Sequence, residues 1–236
     1  MRISRLTLWV LVAVVLTATA GTLPAGEDGA VFPFVKGTTW TYAGTVRWTP
    51  IGNHPRSGTV RWTSAVADAF DDGEIAAALL KGGVWDLAWW SPDARAGSYL
   101  LLRVQTRYYL VGDDAKAMFS AIRTSGRKAL PADLEEKRWF ETPRKPGRLY
   151  RAPSVAPRED TRYGWLIASA PPVNAGLARM KTATRSAYVL SYITLPDEES
   201  LTVLPGVGVT SFAYLHHGTV SEANVHLVGF HRGGVQ

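Results

Sequence analysis

The sequence predicts a mainly antiparallel β protein: a single curved sheet or half-barrel with one or two short helices. Three observations carry that expectation. Apolar and polar residues alternate over whole segments, the period of a half-buried strand. Gly, Pro, Asn and Asp separate consecutive runs at hairpin-like intervals, which favours strands joined by turns over parallel crossovers. The chain is also rich in rings, with nine Trp, nine Tyr and seven Phe, residues that suit a pleated surface packed on one side.

The N-terminus has the plan of a secretory signal peptide. Arg2 and Arg5 precede an apolar run from Leu6 to Leu16, and Ala18-Thr19-Ala20 supplies a small-x-small cleavage pattern. The run is too short to span a bilayer, so no stable membrane span is expected after cleavage. Residues 1–20 are therefore set aside and 21–31 read as a flexible lead-in. Residues 32–236 read as one β domain, and the destination as periplasmic or extracellular. The 236 residues include no cysteine, so stability has to come from the core. The formal charge of +6, from 26 basic and 20 acidic residues, falls to +4 without Arg2 and Arg5. That is mild, and no dense Lys/Arg run occurs, so a nucleic-acid partner is not expected.

The opening strand begins after Phe32-Pro33-Phe34 and Gly37. Trp40, Tyr42, Gly44, Val46 and Trp48 share one face, and Thr41, Ala43, Thr45, Arg47 and Thr49 the other. The hexapeptide Gly-Thr-Val-Arg-Trp-Thr occurs at 44–49 and again at 58–63. Turn residues lie between the copies, so they read as the two arms of a hairpin. Ile75–Lys81 and Val84–Trp90 flank Gly82-Gly83 and read as a second hairpin, although Ala76-Ala77-Ala78 favours helix. Adjacent residues on a strand face opposite ways, which puts one ring of Trp89-Trp90 outside the main core.

Tyr99–Val111 reads as one central strand. A short helix follows from Ala115 to about Ser125, with Asp113 or Asp114 placed to cap it and Met118, Phe119 and Ile122 at helical spacing. Leu130–Glu136 reads as a further helical turn. Residues 141–161, proline-rich and charged, read as a long surface loop. Arg162–Ser169 and Arg185–Leu195 are strands, with a connector at Asn174–Leu177 between them, and Pro196–Ser200 reads as a turn. The closing hairpin joins Val207–His217 to Val220–Phe230 through Gly218-Thr219. A two-residue turn there sets His217 opposite Val220, His216 opposite Ser221 and His226 opposite Ser211. The total is nine or ten strands.

These segments resemble a group of secreted bacterial proteins of uncharacterised function. Their mature chains open with a Phe-Pro-Leu-x-x-Gly-x-x-Trp-x-Tyr type motif and close near Pro-Gly-x-Gly. Here the motifs are Phe32-Pro33-Phe34 with Gly37, Trp40 and Tyr42, where Phe34 replaces the Leu, and Pro205-Gly206-Val207-Gly208. The resemblance implies a curved sheet similar to the half-barrels of periplasmic lipoprotein carriers. It implies no activity and no catalytic residue. Lipoprotein members of such groups carry a lipidated cysteine, which this chain lacks.

No catalytic constellation stands out. His216 and His217 are strand neighbours and face opposite ways, no His-x-x-x-His spacing occurs, and neither a metal site nor a cofactor is expected. Ser211 and Ser221 lack a Gly-x-Ser-x-Gly elbow, and Gly206-x-Gly208 opens a strand rather than a helix. The sequence therefore points to a non-catalytic binding or scaffold protein. In its sharper form it holds an apolar or lipid-like small molecule on the concave face, in a deep cavity lined by Trp48, Trp62, Tyr109 and Tyr188. Two alternatives remain open: a hydrolase using His216, His217 and Glu222, and a subunit partnered by other cell-envelope proteins.

Overall fold

The computed structural model describes residues 30–170 and 186–234. The segments read as a signal peptide (1–20), most of the lead-in and the connector at Asn174–Leu177 lie outside the described residues.

Twelve strands form one antiparallel sheet: β1 (Thr39–Trp48), β2 (Arg56–Asp71), β3 (Ile75–Lys81), β4 (Ser98–Val104), β5 (Arg107–Val111), β6 (Arg138–Glu141), β7 (Leu149–Arg151), β8 (Gly164–Ser169), β9 (Tyr188–Ile193), β10 (Asp197–Leu204), β11 (Gly208–His217) and β12 (Val220–His231). The spatial order is β6-β5-β4-β3-β2-β1-β12-β11-β10-β9-β8-β7. Every neighbour in the sheet is therefore a neighbour in the chain except β1 and β12. Two six-strand meanders run outward from that central pair. Their far ends, β6 and β7, meet across a seam, where Arg138 of β6 lies over the Tyr150 ring of β7 at 5.4 Å. The result is a nearly closed barrel.

The alternation read in β1 holds. Trp40, Tyr42 and Val46 are buried, and their face points into the barrel. The repeated hexapeptide forms a hairpin in which Gly44 pairs with Val60 and Val46 with Gly58. One inward belt crosses half the sheet: Ile167, Leu190, Leu201, Phe212, Val225 and Gly44 are successive register partners. Gly44 is small by necessity, because a Cβ there would lie 2.0 Å from the Asn224 carbonyl oxygen of β12. Phe32 crosses the interior. Its ring stacks on Trp139 at 5.6 Å, and its other side fills the space a Cβ on Gly208 would need, 2.6 Å away. Gly208 also has φ +95°, a left-handed conformation that side chains resist.

The helix α1 (Ala115–Ser125) packs on the outside of the barrel. Ala115, Phe119 and Ile122 cover Ile75, Ala77, Leu100 and Leu102. This explains why Ala76-Ala77-Ala78 is strand despite its helix propensity. Here β3 is buried on both faces, and small residues fit between two packed layers.

Several elements differ from the sequence reading. Tyr99–Val111 is two strands, broken where Gln105 takes φ 54°. The loop at 141–161 contains β7, and Arg144 within it is buried with its guanidinium 4.0 Å from the centre of the Tyr188 ring. The Pro196–Ser200 turn is shorter than expected. The Thr194 hydroxyl accepts the Asp197 N–H at 3.0 Å, so pairing resumes at Asp197 and β10 runs from there. Val84–Trp90 is not a hairpin arm. Gly82, at φ +75°, turns the chain inward, and Val84–Leu87 is a 3-10 turn whose Val84 and Leu87 are buried. The excursion from Gly82 to Gly97 plugs one end of the barrel and is closed at its base by a Gly82 N–H to Gly97 carbonyl bond of 2.9 Å.

Candidate functional site

Beside the plug lies a cleft of about 280 Å³. Its wall is built by parity. Inward positions of successive strands supply Tyr150 (β7), Trp165 (β8), Tyr192 (β9) and Glu199 (β10), each the register partner of the next. Trp139 of β6, Trp85 of the plug, Leu110 and Tyr163 add to the lining, and Glu136, Lys137 and Arg138 stand at the rim. The rings are mutually inclined. Trp139 and Trp165 meet at 67°, Trp85 and Trp139 at 72°, and Trp165 and Tyr192 at 41°, with centroids 5.1–5.8 Å apart.

Glu199 is the unusual member. The residue is half-buried, and its Oε1 is shielded from solvent. Burial pushes its carboxyl up to about 7. The Trp85 indole N–H opposes that rise, and the charge of Asp197 adds to it. Trp85 Nε1 is itself buried and has no other partner. The buried carboxyl is thus met by a neutral N–H and by no ion pair, an arrangement that native interiors generally avoid. Tyr99, behind Trp85 at 5.4 Å, donates to Asp86 Oδ1 at 2.6 Å. Burial raises both of these groups.

At the barrel mouth a second polar group ties the plug to the wall. Asp197 Oδ1 receives the Tyr214 hydroxyl at 2.5 Å and lies 2.8 Å from His216 Nδ1. Burial alone would raise Asp197, but the bonds from Tyr214, His216 and Thr194 outweigh it and hold the carboxyl below its usual range. Trp89 packs on His216 at 4.6 Å. Ser221, opposite His216 in the ladder, donates its hydroxyl to the Ala88 carbonyl at 2.6 Å. That serine is committed as a latch on the plug.

The closing turn has the expected two residues, so His217 pairs with Val220, His216 with Ser221 and His226 with Ser211. The three residues of the hydrolase alternative do not converge. His216 faces inward onto Asp197. His217 faces outward to Glu198 at 3.0 Å, and Glu222 outward to Arg47 at 2.6 Å. No group of three or more His, Asp or Glu placed to hold a metal ion occurs among the described residues.

The four rings assigned to a common cavity are likewise dispersed. Trp48 meets Trp90 edge-on at 4.7 Å. Trp62 donates to the Gly82 carbonyl at 2.9 Å. Tyr109 lies on the outer face with the α1 cluster and donates to Glu135 at 2.8 Å. Tyr188 lies under Arg144. The void enclosed between Trp40, Tyr42, Leu80 and Trp85 is about 20 Å³, room for about one water. The sequence reading missed Glu199 because it placed Asp197–Ser200 in a turn. Counting back by two from Leu201 would have set Glu199 on the inward face.

No family model matches the chain, and no curated protein matches it. Among solved structures it is similar to a protein of Bacteroides fragilis NCTC 9343 described only as exported and of YmcC-like fold. The two share 9% identity, with a TM-score of 0.39 over 85% of this chain and 98% of that one. No helix among the described residues is long and apolar enough to cross a membrane.

Proposed function

We propose that the chain is an extracytoplasmic binding protein that takes a small ligand, without catalysis, in the cleft between the plug and strands β6–β10. The export signal at the N-terminus supports the location. The observation that carries the binding reading is the buried Glu199 carboxyl, met by the Trp85 indole N–H and by no ion pair, beside a ring-lined space of about 280 Å³. An unsatisfied buried polar atom costs on the order of 1–3 kcal/mol, and a ligand that supplies its partner recovers that cost. A long acyl chain is disfavoured, because the deep interior is filled by Phe32, Trp40 and Trp85.

The test is a thermal-shift panel of amines, amino acids and monosaccharides on the wild type, Trp165→Ala and the outer-face control Glu222→Gln. At least one compound should raise the Tm of the wild type and of the control but not of Trp165→Ala. The reading falls if no compound binds, or if binding survives in Trp165→Ala.

A further inference from the structure

Resting on that reading of the cleft, we propose that its ligand is a small organic cation, a quaternary or protonated amine, caged by Trp139, Trp165 and Tyr192 with Glu199 as its counter-ion. Two features separate this class from a neutral ligand, and a third bounds its size.

The first is the sign of the enclosed charge. Asp86, Asp197 and Glu199 all act on this end of the barrel: burial is the main cause that raises Tyr99, Tyr192 and Tyr214, and to it Asp86 and Glu199 add at Tyr99, and Asp197 and Glu199 at Tyr192 and Tyr214. Asp86 is met by Tyr99 and the Gly97 N–H, and Asp197 by Tyr214 and His216. Glu199 is met by the neutral Trp85 indole N–H alone. The rim cations do not reach it. Arg138 is drawn to Glu135 at 3.3 Å and lies over Tyr150 at 5.4 Å.

The second is ring geometry. Sugars stack on rings that lie flat and open to solvent. Here the rings incline at 41–72° to one another and enclose a space. A compact cation satisfies several inclined rings at once through their negative faces. The third is size. A cleft of about 280 Å³ admits a small amine and is at the lower limit of ordinary ligand pockets.

The groups facing Glu199 set the pH behaviour. They are Asp197 on its own strand, Tyr192 and Tyr214 on the flanking strands, and Trp85 and Tyr99 from the plug side. Glu136, Lys137 and Arg138 stand further out at the rim. A cation selects the ionised carboxylate. With Glu199 pushed up to about 7, affinity should rise about tenfold from pH 6 to pH 8.

The experiment is calorimetric titration of the full chain with choline, whose charge does not change with pH, and with methyl glucoside as the neutral probe. Choline should bind at pH 8, about tenfold more weakly at pH 6, and at least tenfold more weakly at pH 8 to Glu199→Gln, which keeps shape and loses charge. Methyl glucoside should not bind. Trp165→Ala should abolish the choline signal, and its circular dichroism reports whether it is folded. Choline binding that Glu199→Gln leaves intact overturns the proposal. Binding of methyl glucoside without choline also overturns it and leaves the cleft reading standing. If neither probe binds the folded wild type, the cation proposal falls, and the thermal-shift panel decides the broader reading separately.

Discussion

Glu199 shows how one position couples fold and chemistry. Its inward parity on β10 is dictated by Leu201 and Val203, so the backbone that buries those two also carries a carboxyl into a ring-lined space. The fold then favours the protonated form, with a carboxyl at about 7 against the ordinary glutamate value of about 4.3 in the unfolded chain. Because the native state holds the proton more tightly, stability is full below the unfolded value and is lost as pH rises through about 7. Denaturant melts of the wild type should therefore lose on the order of 2–3 kcal/mol between pH 4.5 and pH 7.5. Glu199→Gln should remove most of that slope, and an unchanged slope would show that another group titrates there. Gly44 is the second position where a single atom matters. Gly44→Ala sets a methyl against the Asn224 carbonyl in the central β1–β12 pair, and should cost at least 2 kcal/mol, about the scale of overpacking, in the same melts.

Among elements, the plug is the one whose role depends on its surroundings. Gly82–Gly97 is too apolar for an exposed loop, and its Val84, Leu87 and Trp85 replace the side chains that a narrower barrel would supply from its own strands. Ser221 and the Asp197–His216 pair fasten its outer end. Leu87→Ala leaves a void in a fully buried site and should cost about 2–5 kcal/mol. It should also weaken ligand binding at the cleft, since Trp85 is carried by the same turn. Loss of stability with cleft binding unchanged would show that the plug does not position Trp85. The outer helix α1 packs on the other face of the sheet and lines no part of the cleft.

For the whole molecule, the meander order makes stability graded. The β1–β12 pair is long and flanked on both sides, whereas β6 and β7 have four and three residues and each has one strand partner. Amide exchange should therefore be slowest in β1, β11 and β12 and fastest at the seam. Equal protection at the seam would mean that it is closed more firmly than its ladder suggests. Phe32 counters that gradation by bridging the interior from Trp139 to Gly208. Phe32→Ala should cost about 3–5 kcal/mol and raise exchange in β6 preferentially.

The features legible from the amino-acid order alone were local. Alternation in β1, the two-residue Gly218-Thr219 turn with its register, and the spacing of Phe119 and Ile122 each depend on residues close together in the chain, and each appears as read. The strand character of Ala76–Ala78, the inward turn of Val84–Leu87 and the burial of Arg144 were decided by packing from distant segments, which outweighs propensity. The cleft belongs to this second kind. Trp85, Trp139, Trp165, Tyr192 and Glu199 come from five separate elements, and only closure of the sheet sets them around one space. A one-residue shift of register in any of those strands would turn its contribution outward.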